Sequence, residues 1–116
     1  MDFEIIFYKD RRRVSPVEEF LFGLKKENNP LAEQAFKGLE KLKNRVYHRE
    51  PLSRYLEPGL WELRVRAGSD ILRILYTFGK GRIIILLHVF VKKQQKTPLK
   101  ELEIARKRLK ELKAKR

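Results

Sequence analysis

Arginine side chains occupy unusual positions in the middle of this sequence. Arg64 and Arg66 alternate with apolar residues in the segment 60–66, and Arg73 interrupts the apolar segment 71–76. Because successive side chains of a β-strand point to opposite faces, Arg64 and Arg66 share one face of the sheet. Cations collected on one face of a sheet favour the binding of phosphate groups, and therefore of nucleic acid.

The turn between the two segments predicts how these cations meet. If residues 67–70 form a four-residue turn, Arg66 pairs with Ile71 and Arg64 stands opposite Arg73. Like charges directly opposite each other on neighbouring strands are unfavourable. An anion held between Arg64 and Arg73 would relieve that repulsion.

Each of these cations also has a purely structural interpretation. A salt bridge to Glu62 or Asp70 would account for Arg73. Arg64 and Arg66 would then be the solvated side of an amphipathic strand. Both interpretations stay open on the sequence alone.

His88 and a group of lysines belong to a third apolar segment and its end. A two-residue turn within 79–81 would place His88 on the face of Arg73, whereas a three-residue turn would place it on the opposite face. A lone histidine in such a strand is more often a satisfied core residue than a catalyst. The lysines that follow the strand are Lys92, Lys93 and Lys96. They form either a phosphate-binding cluster or an ordinary charged loop.

The charge of the 116-residue chain is +13 and is unevenly distributed. Residues 1–40 carry 7 basic and 8 acidic side chains, and residues 41–116 carry 21 basic and 7 acidic ones. Such a balance attracts polyanions and places most of the partner surface in the second part. The chain has no cysteine and two histidines, which excludes disulfides and thiolate catalysis and argues against zinc.

The longest apolar run is too short to cross a membrane, and the N-terminus lacks a basic start typical of a signal peptide. A reducing cytoplasm fits these features. We find no serine–histidine–carboxylate set, no paired-carboxylate site and no phosphate-binding glycine loop. If the protein is an enzyme, its chemistry must therefore depend on cations.

The elements that must position these residues follow from periodicity and turn residues. Residues 3–8 predict a first strand, and Ser15 with Pro16 predicts the start of a helical hairpin that ends near Tyr47. Residues 51–59 are expected to form a loop, and three strands follow at about 60–66, 71–78 and 82–90. Thr97 and Pro98 are expected to cap a last helix. The order β-α-α-β-β-β-α predicts one α+β domain over residues 1–116, with helices packed on a mostly antiparallel sheet.

Two stretches, 59–64 and 87–98, together with the Arg73 strand, resemble the phage-derived HigB-like branch of the RelE/ParE toxin superfamily. The run Phe-Val-Lys-Lys-Gln-Gln-Lys-Thr-Pro at 90–98 is the most specific part of the match. The resemblance implies a RelE-like fold and the toxin of a toxin–antitoxin pair. Its expected partners are mRNA on the ribosome and a HigA-like helix-turn-helix antitoxin, with no cofactor and no metal.

RelE-type toxins cut mRNA in the ribosomal A site by attack of a 2′-hydroxyl on the adjacent phosphate. By position, the resemblance makes Arg73 a ligand of the transition-state phosphate and Lys93 the group that helps protonate the leaving oxygen, with Lys92 beside it. Arg64 and Arg66 stand where better-studied members have lysines, and Lys96 and His88 are expected to contact RNA. Arginine is effectively never deprotonated, so the general base is open, and Lys92, Lys93 and Lys96 are the candidates.

Two other functions remain possible on the same sequence. A ParE-like toxin would inhibit DNA gyrase and cleave no RNA. A non-catalytic RNA- or DNA-binding module would use the same cations for attraction alone. Dependence on the single residue Arg73 distinguishes cleavage from general polyanion binding.

Overall fold

The computed structural model describes residues 2–91 and 96–115, and in that part of the chain three α-helices pack on a five-stranded sheet. In chain order the elements are β1 (Glu4–Phe7), α1 (Pro16–Glu27), α2 (Asn29–Leu42), β2 (Ser53–Glu57), β3 (Leu60–Ala67), β4 (Asp70–Gly79), β5 (Ile83–Val91) and α3 (Leu99–Ala114). A short 3-10 helix, Arg45–Tyr47, precedes β2. The predicted α+β class is confirmed.

The sheet has the order β1-β5-β4-β3-β2. β1 pairs with β5 in parallel, and the other neighbours are antiparallel. Residues 51–59, predicted to form a loop, contain β2. This strand is short, lies at an edge and contains a bulge between Tyr55 and Glu57, so it lacks the continuous apolar pattern of an inner strand.

Alternation along the strands divides the sheet into two faces. α1 and α2 cover the first, here called the hairpin face, and α3 covers the second, here called the α3 face. The buried strand residues of the hairpin face include Leu63, Val65, Leu72, Ile74 and Tyr76. Those of the α3 face include Leu60, Leu75, Leu87 and Phe90, which pack with Ala105 and Leu109 of α3.

The start of the helical hairpin follows the sequence prediction. The Ser15 side chain accepts a hydrogen bond from the Glu18 backbone N–H at 3.3 Å, and Pro16 occupies the first turn of α1. A single residue, Asn28, separates the two helices. Its backbone N–H donates to the Leu24 carbonyl at the end of α1. Its side chain accepts a hydrogen bond from the Leu31 N–H at 3.3 Å at the start of α2.

α2 is shorter than its apolar periodicity predicted, because it ends at Leu42 and not near Tyr47. The Asn44 side chain accepts a hydrogen bond from the Val46 N–H at 3.0 Å and begins the separate 3-10 turn. Asparagine competes with helical hydrogen bonding in this way. The turn leads the chain toward β2.

Gly38 lets α2 approach β3 closely. A Cβ atom placed on Gly38 would lie 2.6 Å from Cγ1 of Val65, which is closer than real side chains pack. The missing side chain therefore fixes the separation of helix and strand. β3 carries Arg64 and Glu62 on its other face, so this contact helps to position them.

Among the described residues, no helix combines the length and the apolar character that crossing a lipid bilayer requires.

Candidate functional site

The pairing of β3 with β4 brings the predicted cations together. Arg64 lies opposite Arg73, and Arg66 lies opposite Ile71, as the turn predicted. Gly68 adopts the left-handed conformation in that turn, with φ of 61°, which a residue without a side chain accepts readily. The predicted register is confirmed.

An anion stands between the paired arginines, and it belongs to the protein. The Glu62 carboxylate lies 3.9 Å from Nη1 of Arg73, 4.0 Å from Nε of Arg64 and 3.4 Å from Nη2 of Arg54. The side chains of Glu62 and Arg73 are both fully buried. These four residues are here called the arginine–Glu62 cluster. The structural alternative for Arg73, a salt bridge to Glu62, is therefore present.

Burial makes the charge balance of this cluster important. Burial lowers the pKa of Arg73. The Glu62 carboxylate raises that pKa, whereas the charges of Arg64 and Arg54 lower it further. A buried charge persists only when it is paired, since removing an isolated ion from water costs several kcal/mol. Three guanidinium groups face one carboxylate here. The cluster therefore keeps excess positive charge that a phosphate can neutralise.

The excess charge is accessible through two of the arginines. The side chains of Arg54 and Arg64 are 31% and 22% exposed, whereas that of Arg73 lies beneath them at 0%. Arg64 borders two clefts. One, of about 260 Å³, is also lined by Pro51, Val65, Arg66 and Ile71. The other, of about 300 Å³, is lined by Lys41, Tyr47, Arg49, Glu50, Pro51 and Leu52.

Thr97 has a different role from the predicted helix cap. Its hydroxyl donates a hydrogen bond to Oε2 of Glu62 at 2.7 Å, and α3 begins after Pro98 without a side-chain cap. The residue two positions before α3 is thus tied to the arginine–Glu62 cluster. Exposed Lys96 immediately precedes this anchor. The other two predicted lysines, Lys92 and Lys93, lie outside the described residues.

A β-bulge decides which face carries His88. The turn after β4 contains three residues, since Gly79 pairs with Ile83. This turn length alone would place His88 on the face of the sheet that does not carry Arg73. The register then shifts by one residue at Leu87, so that His88 pairs with Leu75 on the α3 face. His88 and Arg73 therefore share a face for a reason that turn length could not show.

Both ring nitrogens of His88 are engaged by α3. Nε2 lies 2.7 Å from Oε1 of Glu101, and Nδ1 lies 3.3 Å from Nη1 of Arg108. Arginine only donates, so Nδ1 accepts and Nε2 carries the proton that is donated to Glu101. Burial lowers the pKa of His88, the Glu101 hydrogen bond opposes this, and the Arg108 charge adds to it. His88 thus packs β5 against α3 as a satisfied histidine.

One member of the site was not predicted from the sequence, and a second was predicted to have another role. Arg54 belongs to β2, the strand that was taken as a loop, and it pairs with Glu62 across the strands. Thr97 was expected to be a cap. Glu62 was predicted as a salt-bridge partner of Arg73, and alternation in the segment 60–66 already places it on the face of Arg64.

Among residues 2–91 and 96–115, no three histidine or carboxylate side chains come together as a metal ion would require.

Comparison with known proteins assigns the family. No curated protein matches the chain. The family described as "Phage derived protein Gp49-like (DUF891)" matches residues 19–110, which include α2, all strands from β2 to β5 and most of α1 and α3. That family is part of the RelE/HigB-type toxin group, and its members are toxin modules of toxin–antitoxin systems. The chain therefore belongs to the Gp49-like phage-derived family of toxins.

Proposed function

We propose that this protein is the toxin of a type II toxin–antitoxin pair of the HigB-like branch, and that it cleaves translated mRNA in the ribosomal A site. The observation that carries the proposal is the arginine–Glu62 cluster, in which three guanidinium groups face one carboxylate and two of them reach the surface. Family membership supports the same conclusion. Residues 1–116 would act as one RelE/HigB-like domain in the cytoplasm.

The proposed reaction is a transesterification within RNA. The 2′-oxygen forms a bond to the adjacent phosphorus, the bond from phosphorus to the 5′-oxygen breaks, and a cyclic phosphate and a 5′-hydroxyl result. Arg64 and Arg54 bind the phosphate oxygens at the surface, and Arg73 adds its charge from beneath. Fixed positive charge at the developing negative charge is the main source of catalysis in such a site.

Two protons must move in this reaction. One leaves the 2′-hydroxyl, and another reaches the departing 5′-oxygen. Arginine cannot accept a proton near neutral pH, so the base must come from elsewhere. We assign the base to the lysines after β5, Lys92 or Lys96, and the acid to Lys93.

The partner we propose is a small HigA-like helix-turn-helix antitoxin with acidic side chains. A chain of charge +13 would associate quickly with such a protein, and the rate would fall as salt increases. The antitoxin would cover or distort the cationic surface around Arg64.

Mapping of RNA ends in cells tests the reaction. The protein is induced in bacteria, and the 5′ ends of translated and untranslated messages are mapped by primer extension. We expect new cuts inside coding regions and none in untranslated RNA. Arg64→Ala should reduce cutting, because it removes a surface phosphate contact. Lys37→Ala, which removes one charge from the exposed side of α2, should leave cutting unchanged.

Other outcomes would change the assignment. Intact messages together with broken DNA held on gyrase would replace it with a ParE-like inhibitor. RNA binding without cuts, weakened only slightly by each single substitution, would leave a non-catalytic RNA-binding module. Equal cutting by the Arg64 and Lys37 variants would remove Arg64 from the site.

A further inference from the structure

A second group of arginines lies far from the cluster in sequence. Arg11, Arg12 and Arg13 follow β1 in a tight turn, and all three are exposed. The turn formed by residues 10–14 is here called the arginine turn. The net charge of the first 40 residues does not indicate this group, because acidic residues elsewhere in that segment balance the three positive charges.

Hydrogen bonds fix the shape of the arginine turn. The Asp10 carboxylate accepts bonds from the backbone N–H groups of Arg12 at 2.8 Å and Val14 at 3.0 Å. The Asp10 N–H donates to the Val14 carbonyl, and the Arg13 N–H donates to the Asp10 carbonyl, both at 2.9 Å. The charges of the three arginines are therefore held on an ordered backbone.

The turn orders these arginines without neutralising them. The Val14 N–H bond is the main cause that lowers the pKa of Asp10, and the charge of Arg12 contributes less, so the backbone supplies most of the compensation of this carboxylate. Within the described residues, none of the three arginines forms a salt bridge. Arg13 also adopts the left-handed conformation, with φ of 65°, which is unfavourable for a residue with a side chain. The turn therefore presents exposed positive charge on a strained and ordered backbone.

Sheet topology places the arginine turn beside the candidate site. Because β1 and β5 are parallel, the chain leaves both strands at the same end of the sheet. The Phe90 end of β5 pairs with Arg73, so the arginine turn lies at the end that carries the arginine–Glu62 cluster. β1 and β3 are three strand spacings apart, which corresponds to about 14 Å. An extended nucleic-acid strand is long enough to span this distance.

α3 separates the arginine turn from the cluster, so the two are distinct. On one side of α3, Arg106 forms two hydrogen bonds to Glu57 at 2.9 and 2.7 Å. On the other side, the Tyr8 hydroxyl donates to Glu111 at 2.6 Å. A cleft of about 430 Å³ lies between the turn and this second side of α3. Its lining residues are Tyr8, Asp10, Arg11, Arg12, Lys107 and Glu111.

We propose that the arginine turn is a second, non-catalytic site that binds the phosphodiester backbone of RNA beside the cleavage site. This rests on the proposed function, because RNA is taken as the substrate. Guanidinium groups bind phosphate oxygens in pairs of hydrogen bonds, and a rigid turn loses little conformational freedom when it binds. The turn would hold the strand in place and would not take part in bond breaking.

Binding to RNA that cannot be cleaved tests this site independently of catalysis. The probe is a short single-stranded RNA in which every 2′-hydroxyl is methylated. The variant Arg11→Ala/Arg12→Ala/Arg13→Ala is compared with Lys26→Ala/Lys37→Ala/Lys80→Ala, which removes the same charge from exposed positions elsewhere. Affinity is measured over a range of salt concentrations, and melting temperatures verify that both variants fold.

We expect the arginine variant to reduce the slope of log K against log salt by about 2, since each lost phosphate contact contributes about 0.7. The lysine control should change that slope much less. In cleavage of unmodified message, the arginine variant should raise KM and leave kcat unchanged. Replacing the three arginines by lysine should restore most of the affinity.

Equal slopes for the two alanine variants would overturn the proposal. Unchanged RNA binding with slower antitoxin association would overturn it too, and would assign the turn to an acidic protein. A reduced slope in a protein that cuts no message would retain the RNA site and reject the ribonuclease. A fall in kcat at unchanged KM would place the turn in the chemical step and refute a non-catalytic role.

Discussion

The two faces of this sheet are built from the same strands and both bury apolar side chains, but the α3 face also buries the charges of Glu62 and Arg73. On β3, Leu63 and Val65 point to the hairpin face and are buried among apolar side chains. Glu62 and Arg64, their immediate neighbours, point to the α3 face and form the arginine–Glu62 cluster. Neighbouring residues in one strand therefore serve stability and chemistry separately.

The buried apolar residues and the buried charges have opposite energetic consequences. Burying a leucine or isoleucine side chain on the hairpin face stabilises the fold by about 1.5–3 kcal/mol. Burying Glu62 and Arg73 on the α3 face has a desolvation cost that pairing only offsets. A register slip of one residue would move the apolar residues of β3 to the α3 face and Glu62 and Arg64 to the hairpin face. The Gly68 turn and the Gly38 contact fix the register and therefore maintain both stability and the site.

The largest effect is expected for Arg73→Ala. The rate of message cleavage per folded molecule should fall by about 10²–10³, by analogy with the loss of one oxyanion donor. The variant should also be less stable, because the buried Glu62 carboxylate loses one of its partners. Cleavage rates and denaturant unfolding curves, measured on the same preparation, separate the two effects.

Arg106→Ala is the control for Arg73, because it removes an arginine that pairs with Glu57 at the surface. Its rate should equal that of the parent, and its stability should change little, because water and salt screen an exposed ion pair. A fully active Arg73→Ala protein would mean that Arg73 only balances the charge of Glu62.

Leu63→Ala tests the opposite face with a neighbour of the site residues. The Leu63 side chain is fully buried on the hairpin face, and its truncation should lower the free energy of unfolding by about 2–5 kcal/mol. Cleavage per folded molecule should stay close to the parental rate. A loss of rate as large as that of Arg73→Ala would show that the two faces are not independent.

A smaller effect is expected at His88, on the α3 face. Burial holds its pKa below the value of the unfolded chain, so the unfolded state takes up a proton first as the pH decreases. The stability contributed by neutral His88 is complete above about pH 6.5 and is lost as the pH falls through the lower native pKa. Urea midpoints of the parent and of His88→Asn, measured across that range, provide the test.

A midpoint that declines less steeply with acid in His88→Asn would support the arrangement with Glu101 and Arg108. Parallel declines in the two proteins would show that His88 does not govern this part of the pH dependence.

The register of the central hairpin was predictable from a few residues. Gly68 and its neighbours form a tight turn, and strict alternation around it determines that Arg64 meets Arg73. β2 was not predictable in the same way, because an edge strand with one neighbour needs no continuous apolar face. Arg54, the third cation of the cluster, was missed with it.

The remaining differences arise from contacts between distant parts of the chain. Thr97 has the sequence context of a helix cap. The buried carboxylate of Glu62 on β3 is, however, a stronger hydrogen-bond acceptor for its hydroxyl. The face of His88 depends on the bulge at Leu87, and nothing in the local sequence marks that position as a bulge. Tertiary contacts decided both.

The pairing of β1 with β5 has a consequence for how the protein folds during synthesis. Glu4 pairs with Ile83 and Phe7 with Leu86, so the first strand finds its partner only after most of the chain has left the ribosome. Closing so long a loop is entropically costly and follows the formation of local hairpins. The arginine turn, which β1 carries, consequently reaches its place beside β5 only when synthesis has passed β5.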